Sequence, residues 1–433
     1  MTALRLLSLS HFVAAQWRFT HLRGCELRHF QDERAKRIIE FARTHSPFYA
    51  HHFAGLDTEN WRKCPTIDKA AMMAHFGDFN TRGIGRDEAM SVALRAERER
   101  DFSPRVDELT VGLSSGTSGY RGLFLLSAQE QAAWAGTILA RALPGFKADG
   151  WKVAFFLRSN SNLYEEVSSR FVRFRYFDLM TPIEEAVSRL NDFAPDILVA
   201  PPSMLGLLAD CARLHIRPER VVSVAEVLEP QDARRLQNAF GCQVGQIYQC
   251  TEGLLAVSCP HGSLHVQEDV VALDFEPQSD GRVTPIVTDL WRRLQPIIRY
   301  RLNDVLVLSP RRCACGSDFQ IIERIEGRSD DVCFLEALDG KRRPVFPDAI
   351  RRAVLLASAS ITDYRATQER DGSLHIALEV AQDADFRVVE EAIRRELDEL
   401  RARFELRPFK VFIEPCVSSD ARDTKRRRVR RLT

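Results

Sequence analysis

The chain contains no run of eighteen or so uncharged apolar residues, and this excludes an ordinary membrane-spanning helix. It lacks an excess of either charge: 61 basic against 60 acidic residues leave a formal net charge of +1, so no chain-wide field points to nucleic acid or an acidic surface. Internal repeats are absent. Cysteine is sparse, since the ten residues Cys25, Cys64, Cys211, Cys242, Cys250, Cys259, Cys313, Cys315, Cys333 and Cys416 are scattered through 433 positions. That excludes a disulfide scaffold. What remains, 45% apolar and 28% charged, is a soluble globular composition long enough for two or three domains.

The opening MTALRLLSLSHFVAAQWRF makes a poor signal peptide, because Ser8, Ser10 and His11 interrupt its apolar stretch. It reads instead as an amphipathic helix packed on the body. Residues 27–53 show helical spacing that ends near Ser46-Pro47, where proline disfavours further helix. From about 110 to 330, short β-rich runs (VAFFL, DILVAP, VVSVAEV, QVGQIY) alternate with helical stretches at 184–194 and 230–240. This alternation predicts an α/β fold with a largely parallel sheet. After GRSDD the texture becomes α+β, with strands in SLHIALEVA and FKVFIEP and a charge-paired helix in DFRVVEEAIRRELDELRARF. The expected division is a large N-terminal domain over 1–328, with a helical segment over 1–55, and a small C-terminal domain over 329–433.

Residues 113–122, LSSGTSGYRG, put serine, threonine and glycine into one turn between apolar runs. Such a turn exposes backbone N–H groups and hydroxyls without bulky side chains, which suits phosphate oxygens. The Gly-Lys-Ser/Thr ending of a P-loop is missing, and that nucleotide-binding class is excluded. By itself such a glycine- and serine-rich turn is more often only a surface connection.

Further motifs follow in a fixed order: YQCTEG at 248–253, VTDL at 287–290, PIIRYRLND at 296–304 and IEGRSDD at 325–331. HSPFYAHHF, PTIDK, GSLHVQED and CxCG accompany them. In this order they resemble the adenylate-forming superfamily, and within it the phenylacetate-CoA ligase-like branch, from about residue 35 onward. The resemblance implies an AMP-forming acid-thiol ligase that uses ATP, Mg2+ and a small-molecule carboxylic acid, aromatic or arylalkyl acids being suggested by analogy. CoA or an acyl-carrier protein's phosphopantetheine is the implied acceptor. The remaining expectations are a cytoplasmic setting, a homodimer and no nucleic-acid partner.

The resemblance also assigns residues. Ser114, Ser115, Gly116, Thr117, Ser118 and Gly119 would hold the ATP phosphates, with Arg121 as a nearby cation. Tyr248 would flank adenine, Thr251 reach the α-phosphate, and Glu252 bind Mg2+, a hard cation that prefers carboxylate oxygen. Ala225 and Glu226 would line the adenine pocket, Asp304 would bind the ribose and Arg328 the nucleotide. Asp330 corresponds to a hinge between two half-reactions, and Lys425 to the lysine that neutralises charge during adenylation. Phe155, Phe156 and Tyr164 suit either the acid pocket or the core.

A second metal is implied by cysteine spacing. One residue between Cys313 and Cys315 is awkward for a disulfide and suits two thiolates on one ion. With Cys259 and either His261 or His265, they would close a structural Zn2+ site. The terminal KRRRVRR leaves a rival reading, a non-catalytic zinc-stabilised protein whose solvated basic tail binds nucleic acid.

Overall fold

The computed structural model describes residues 3–99, 104–114, 122–157, 172–179, 181–328, 331–358, 360–415 and 428–432. The fold is mixed α/β, and the chain separates into two compact units. Unit 1 holds Met1–Leu302 and Val307–Arg324; unit 2 holds Asn303–Leu306 and Ile325–Thr433. No helix among the described residues is long and apolar enough to cross a membrane.

The centre of unit 1 is a parallel sheet in the order Val172–Asp178, Trp151–Leu157, Ile197–Ala200, Arg220–Val224 and Val244–Cys250. Because strand side chains alternate, each apolar run supplies two buried faces. Ala154, Phe156, Leu198 and Val221 join one core with Leu190, Leu205 and Leu236 from the helices Ile183–Phe193, Pro202–Ala209 and Pro230–Phe240. Val153, Val199, Val222 and Val224 form the other core. Phe156 is fully buried against Phe177, so it belongs to the core. Its truncation to alanine removes packing of about 3–5 kcal/mol. The sheet then turns antiparallel through Gly253–Ser258 and Leu264–Val266.

The opening segment is a helix, Ala3–His21, followed by Gly24–His45 and Pro47–His52. Ser46 caps the third helix by accepting a hydrogen bond from the Tyr49 N–H at 3.3 Å. The first helix lies on Ala128–Ala142, where a Cβ built on Gly136 would stand 2.0 Å from the Ser8 carbonyl oxygen. Only glycine permits this approach. Arg18 and Arg141 then grip opposite oxygens of the fully buried Asp269, each at 2.9 Å. Removing one member of such a buried network costs about 3–5 kcal/mol, because a charge is left unpaired.

In unit 2 a four-stranded sheet runs Val411–Pro415, Leu374–Val380, Ile361–Gln368, Val429–Arg431. Helices Pro347–Ala357 and Phe386–Arg403 close its core. For residues 428–431, the strand Val429–Arg431 corrects the reading of the basic end as a solvated tail. Val429 is buried, Arg428 is buried beside Asp363 at 3.2 Å, and Arg430 donates to Thr367 at 3.0 Å. The Arg431 guanidinium covers the Phe334 ring at 4.7 Å. Arginine stems pack on apolar surface while their heads find partners, so a run of arginines can form an edge strand.

Candidate active site

Thr251 and Glu252 occupy the tight turn between the antiparallel strands Val244–Cys250 and Gly253–Ser258. The Thr251 hydroxyl donates to Glu252 Oε2 at 2.9 Å, and the phenol of Tyr300 stands near the same carboxylate and feels its charge. Burial of the Tyr300 ring pushes its phenol far above the ordinary range, and the Glu252 charge adds to the rise. Tyr300 therefore stays a neutral phenol near Glu252. Arg292 fixes the turn from behind by donating to the Thr251 carbonyl oxygen at 2.5 Å. That arginine is held in turn by Asp289, whose carboxylate accepts the N–H groups of Trp291 and Arg292 at 2.8 and 2.9 Å.

The PTIDK segment reaches the same place. Ile67 exchanges backbone hydrogen bonds with Arg299 and Arg301 on either side of Tyr300, at 3.0 and 2.8 Å. The Asp68 charge contributes to the Tyr300 shift, and Asp68 caps the helix Lys69–Ala74 by accepting from the Ala71 N–H at 2.9 Å. Lys69 then extends its ammonium to the Ser114 hydroxyl at 3.4 Å. Ser114 and Gly122 close the stem of the serine/glycine loop: N–H to carbonyl at 2.7 Å one way, and Gly122 N–H to Ser114 Oγ at 2.7 Å the other. Ser115, Gly116, Thr117, Ser118, Gly119 and Arg121 lie outside the described residues, as do Tyr164, Asp330 and Lys425.

Tyr248 is half-buried where the strand pairing shifts register, between Tyr248 and Gln249. Ala225 ends the strand Arg220–Val224 in the left-handed region, φ 68°. It lies at the carboxyl end of a parallel strand, where open α/β sheets place their ligand crevices. Glu226 is engaged locally, its carboxylate accepting from the Ser203 N–H at 3.2 Å and hydroxyl at 3.0 Å, on the first turn of Pro202–Ala209. In unit 2, Asp304 and Arg328 stand together, Oδ1 to Nε 3.8 Å, both partly exposed.

At the other end of Gly253–Ser258 a different set converges. Ligand atoms of Cys259, His265, Cys313 and Cys315 all lie within 4.8 Å of one another. Cys259 and Cys313 sulfurs are 3.6 Å apart, and the Cys315 sulfur is 3.4 Å from His265 Nε2. Tetrahedral zinc, with bonds of about 2.0–2.3 Å, asks for ligand atoms about 3.3–3.8 Å apart. His265 Nδ1 donates to the Phe319 carbonyl at 2.8 Å, which leaves the Nε2 lone pair facing the sulfurs. Burial raises both loop thiols. Hydrogen bonds from the Cys315 N–H and neighbouring side chains nonetheless bring Cys313 down to about 6, whereas Cys315, beside the Cys313 and Cys259 sulfurs, is pushed up to about 12. Burial works to lower His265, but its sulfur partners raise it overall. Of the two candidate histidines the set takes His265, fully buried in a strand; His261 is exposed in the turn closed by Cys259 and Ser263 and belongs to no ligand set among the described residues.

No protein-family model matches the chain. It is 24% identical over 389 residues to the phenylacetate-coenzyme A ligase of Thermus thermophilus, covering 81% of this chain and 80% of that one. The enzyme of the same name from Aromatoleum evansii is 22% identical, with 83% of each chain covered. These likenesses place the chain beside adenylate-forming ligases of the phenylacetate-CoA ligase type, as relatives of 22–26% identity. A solved structure of 2-hydroxyisobutyryl-CoA ligase, in complex with an acyl-AMP, shares the fold at TM-score 0.71 and 17% identity, covering 96% of this chain and 91% of that one. Sequence reading missed Tyr300 and Arg292 beside the Thr251–Glu252 turn, and Lys69 at the Ser114 stem. Tyr300 lay within the quoted PIIRYRLND, Lys69 ended the quoted PTIDK, and Arg292 follows VTDL; no local pattern marked any of them.

Proposed function

We propose that this ligase joins a carboxylic acid, aromatic or arylalkyl, to a thiol in two steps. The acid's carboxylate oxygen attacks the α-phosphorus of ATP, the bond from that phosphorus to the pyrophosphate oxygen breaks, and an acyl-adenylate forms. The deprotonated thiol sulfur of CoA, or of a carrier protein's phosphopantetheine, attacks the acyl carbon and AMP departs. The curated relatives are named for phenylacetate and coenzyme A. The reaction suits a cytoplasmic enzyme.

The observation that carries this reading is the meeting of three distant segments at Glu252: the turn itself, Tyr300 from PIIRYRLND, and PTIDK, whose Lys69 continues to the Ser114 stem. The work of such a site is positioning and charge stabilisation. The loop from Ser114 to Gly119 would enclose the phosphates, with Lys69 supplying a cation at its base. Thr251 would meet the α-phosphate, Tyr248 the adenine, and Asp304 with Arg328 the ribose and phosphate side of the nucleotide. Lys425 would neutralise charge during adenylation and leave the site by rotation about Asp330. Glu252 offers the hard oxygen ligand that Mg2+ requires, and that ion would neutralise phosphate charge. Three sulfurs and the His265 Nε2 fit a closed Zn2+ site, which would tie the Cys259 turn to the CxC loop.

The rival reading, nucleic-acid binding through the basic end, loses support because Arg428, Arg430 and Arg431 are engaged within unit 2. The deciding experiment measures pyrophosphate release over a panel of acids, followed by thioester formation with CoA or a pantetheinylated carrier protein. An acid that drives both steps sustains the proposal; no pyrophosphate with any acid rejects it.

A further inference from the structure

On the helix Gly24–His45, Arg34, Arg37 and Phe41 fall on one face, at spacings of three and four residues. The Arg34 guanidinium lies 3.4 Å over the Trp291 ring, and the Arg293 guanidinium lies 4.9 Å over the Phe41 ring. Two aromatic side chains thus carry guanidinium groups onto one patch of unit 1. Among the described residues, none of these three guanidinium groups has a carboxylate partner or donates a hydrogen bond, and Arg34 Nε is buried without an acceptor.

Two acids beside Trp291 and Arg293 are engaged by main-chain donors. Glu130 accepts from the Arg293 and Leu294 N–H groups at 2.7 and 2.9 Å, and its other oxygen serves Ser127. Asp289 accepts from the Trp291 and Arg292 N–H groups. Burial, then Arg18, Arg37 and Arg293, lowers Arg34 to about 10, with the Asp289 charge offsetting only part of the effect.

We propose that Arg34, Arg37 and Arg293 form a phosphate-binding site on the surface of unit 1, separate from the serine/glycine loop. Three guanidinium groups match a polyanionic phosphate better than a single carboxylate, because each planar fork can present two N–H donors to phosphate oxygens. The phosphate can come from inorganic pyrophosphate or from the 3′-phosphate of coenzyme A; the second source rests on the proposed thioester-forming reaction, the first does not.

The test is calorimetric titration of the full-length protein, without acid substrate, using pyrophosphate, CoA and dephospho-CoA as probes. Arg37 and Arg293 are exposed, so Arg37→Gln/Arg293→Gln should keep the wild-type melting temperature. The double variant should bind pyrophosphate or CoA roughly tenfold or more weakly, the scale of losing charge-assisted contacts. Arg37→Lys/Arg293→Lys should recover part of that loss. A deficit with CoA that vanishes with dephospho-CoA identifies the coenzyme's 3′-phosphate, and a deficit with pyrophosphate alone identifies the free anion. Equal affinities of wild type and double variant for all three probes overturn the site. Because no turnover is measured, that result would leave the ligase reading standing.

Discussion

The strand Gly253–Ser258 separates two clusters of opposite chemical character. Before it, Thr251, Glu252 and Tyr300 offer only oxygen; after it, Cys259 joins His265, Cys313 and Cys315 in a set of sulfur and imidazole. Hard oxygen donors suit Mg2+ and phosphate, and soft donors suit zinc. The strand is central and buried, so each end is fixed by the same core. One end keeps a partly exposed threonine beside its carboxylate, while the other encloses a buried histidine.

The largest effect should come from Glu252→Gln, which preserves shape but removes the hard ligand. Adenylate formation should fall by roughly 10²–10³-fold, the scale of losing preorganised charge stabilisation, with the melting temperature nearly unchanged. Pyrophosphate release close to wild type would break the contrast at its oxygen end. Tyr300→Phe removes the phenol hydroxyl near that carboxylate and should slow the same step roughly tenfold. A variant as fast as wild type would reduce Tyr300 to packing.

At the sulfur end, Cys313→Ser should lower bound zinc from about one ion per chain and the melting temperature by several degrees. Elemental analysis and calorimetry measure both; a metal-free wild type with an unchanged variant melt would reduce the cluster to buried thiols. The smallest effect is a difference in reactivity. After metal stripping, Cys313, lowered to about 6, should be mostly thiolate at pH 7, and Cys315, raised to about 12, mostly thiol. Pulsed alkylation read by mass spectrometry should label Cys313 first, its rate climbing as pH rises through about 6 and flattening above, while Cys315 stays slow to beyond pH 9. Equal labelling of the two would show that the pair shares its environment.

Strand alternation made the parallel core legible, and three cysteines of the soft set were readable from spacing. The choice of histidine was not, since both lie close to Cys259 and only burial in the strand Leu264–Val266 separates them. The motif order marked Thr251 and Glu252, but Tyr300 meets Glu252 through a fold-level contact, and Lys69 reaches Ser114 across 45 residues. Glu226 carries no sign in sequence that Ser203 will engage its carboxylate. The run KRRRVRR misleads because charge was weighed without the pairing partner, which Arg430 finds 63 residues away at Thr367.

That long-range pairing also orders assembly in time. The antiparallel pair Ile361–Gln368 and Leu374–Val380 is joined by a short turn and can zip locally. The parallel edge Val429–Arg431 must close a far longer loop before its first ladder bond compensates the entropy. Folding of unit 2 should therefore nucleate at the hairpin and finish at the basic edge, so Arg428→Ala should accelerate unfolding more than it slows folding.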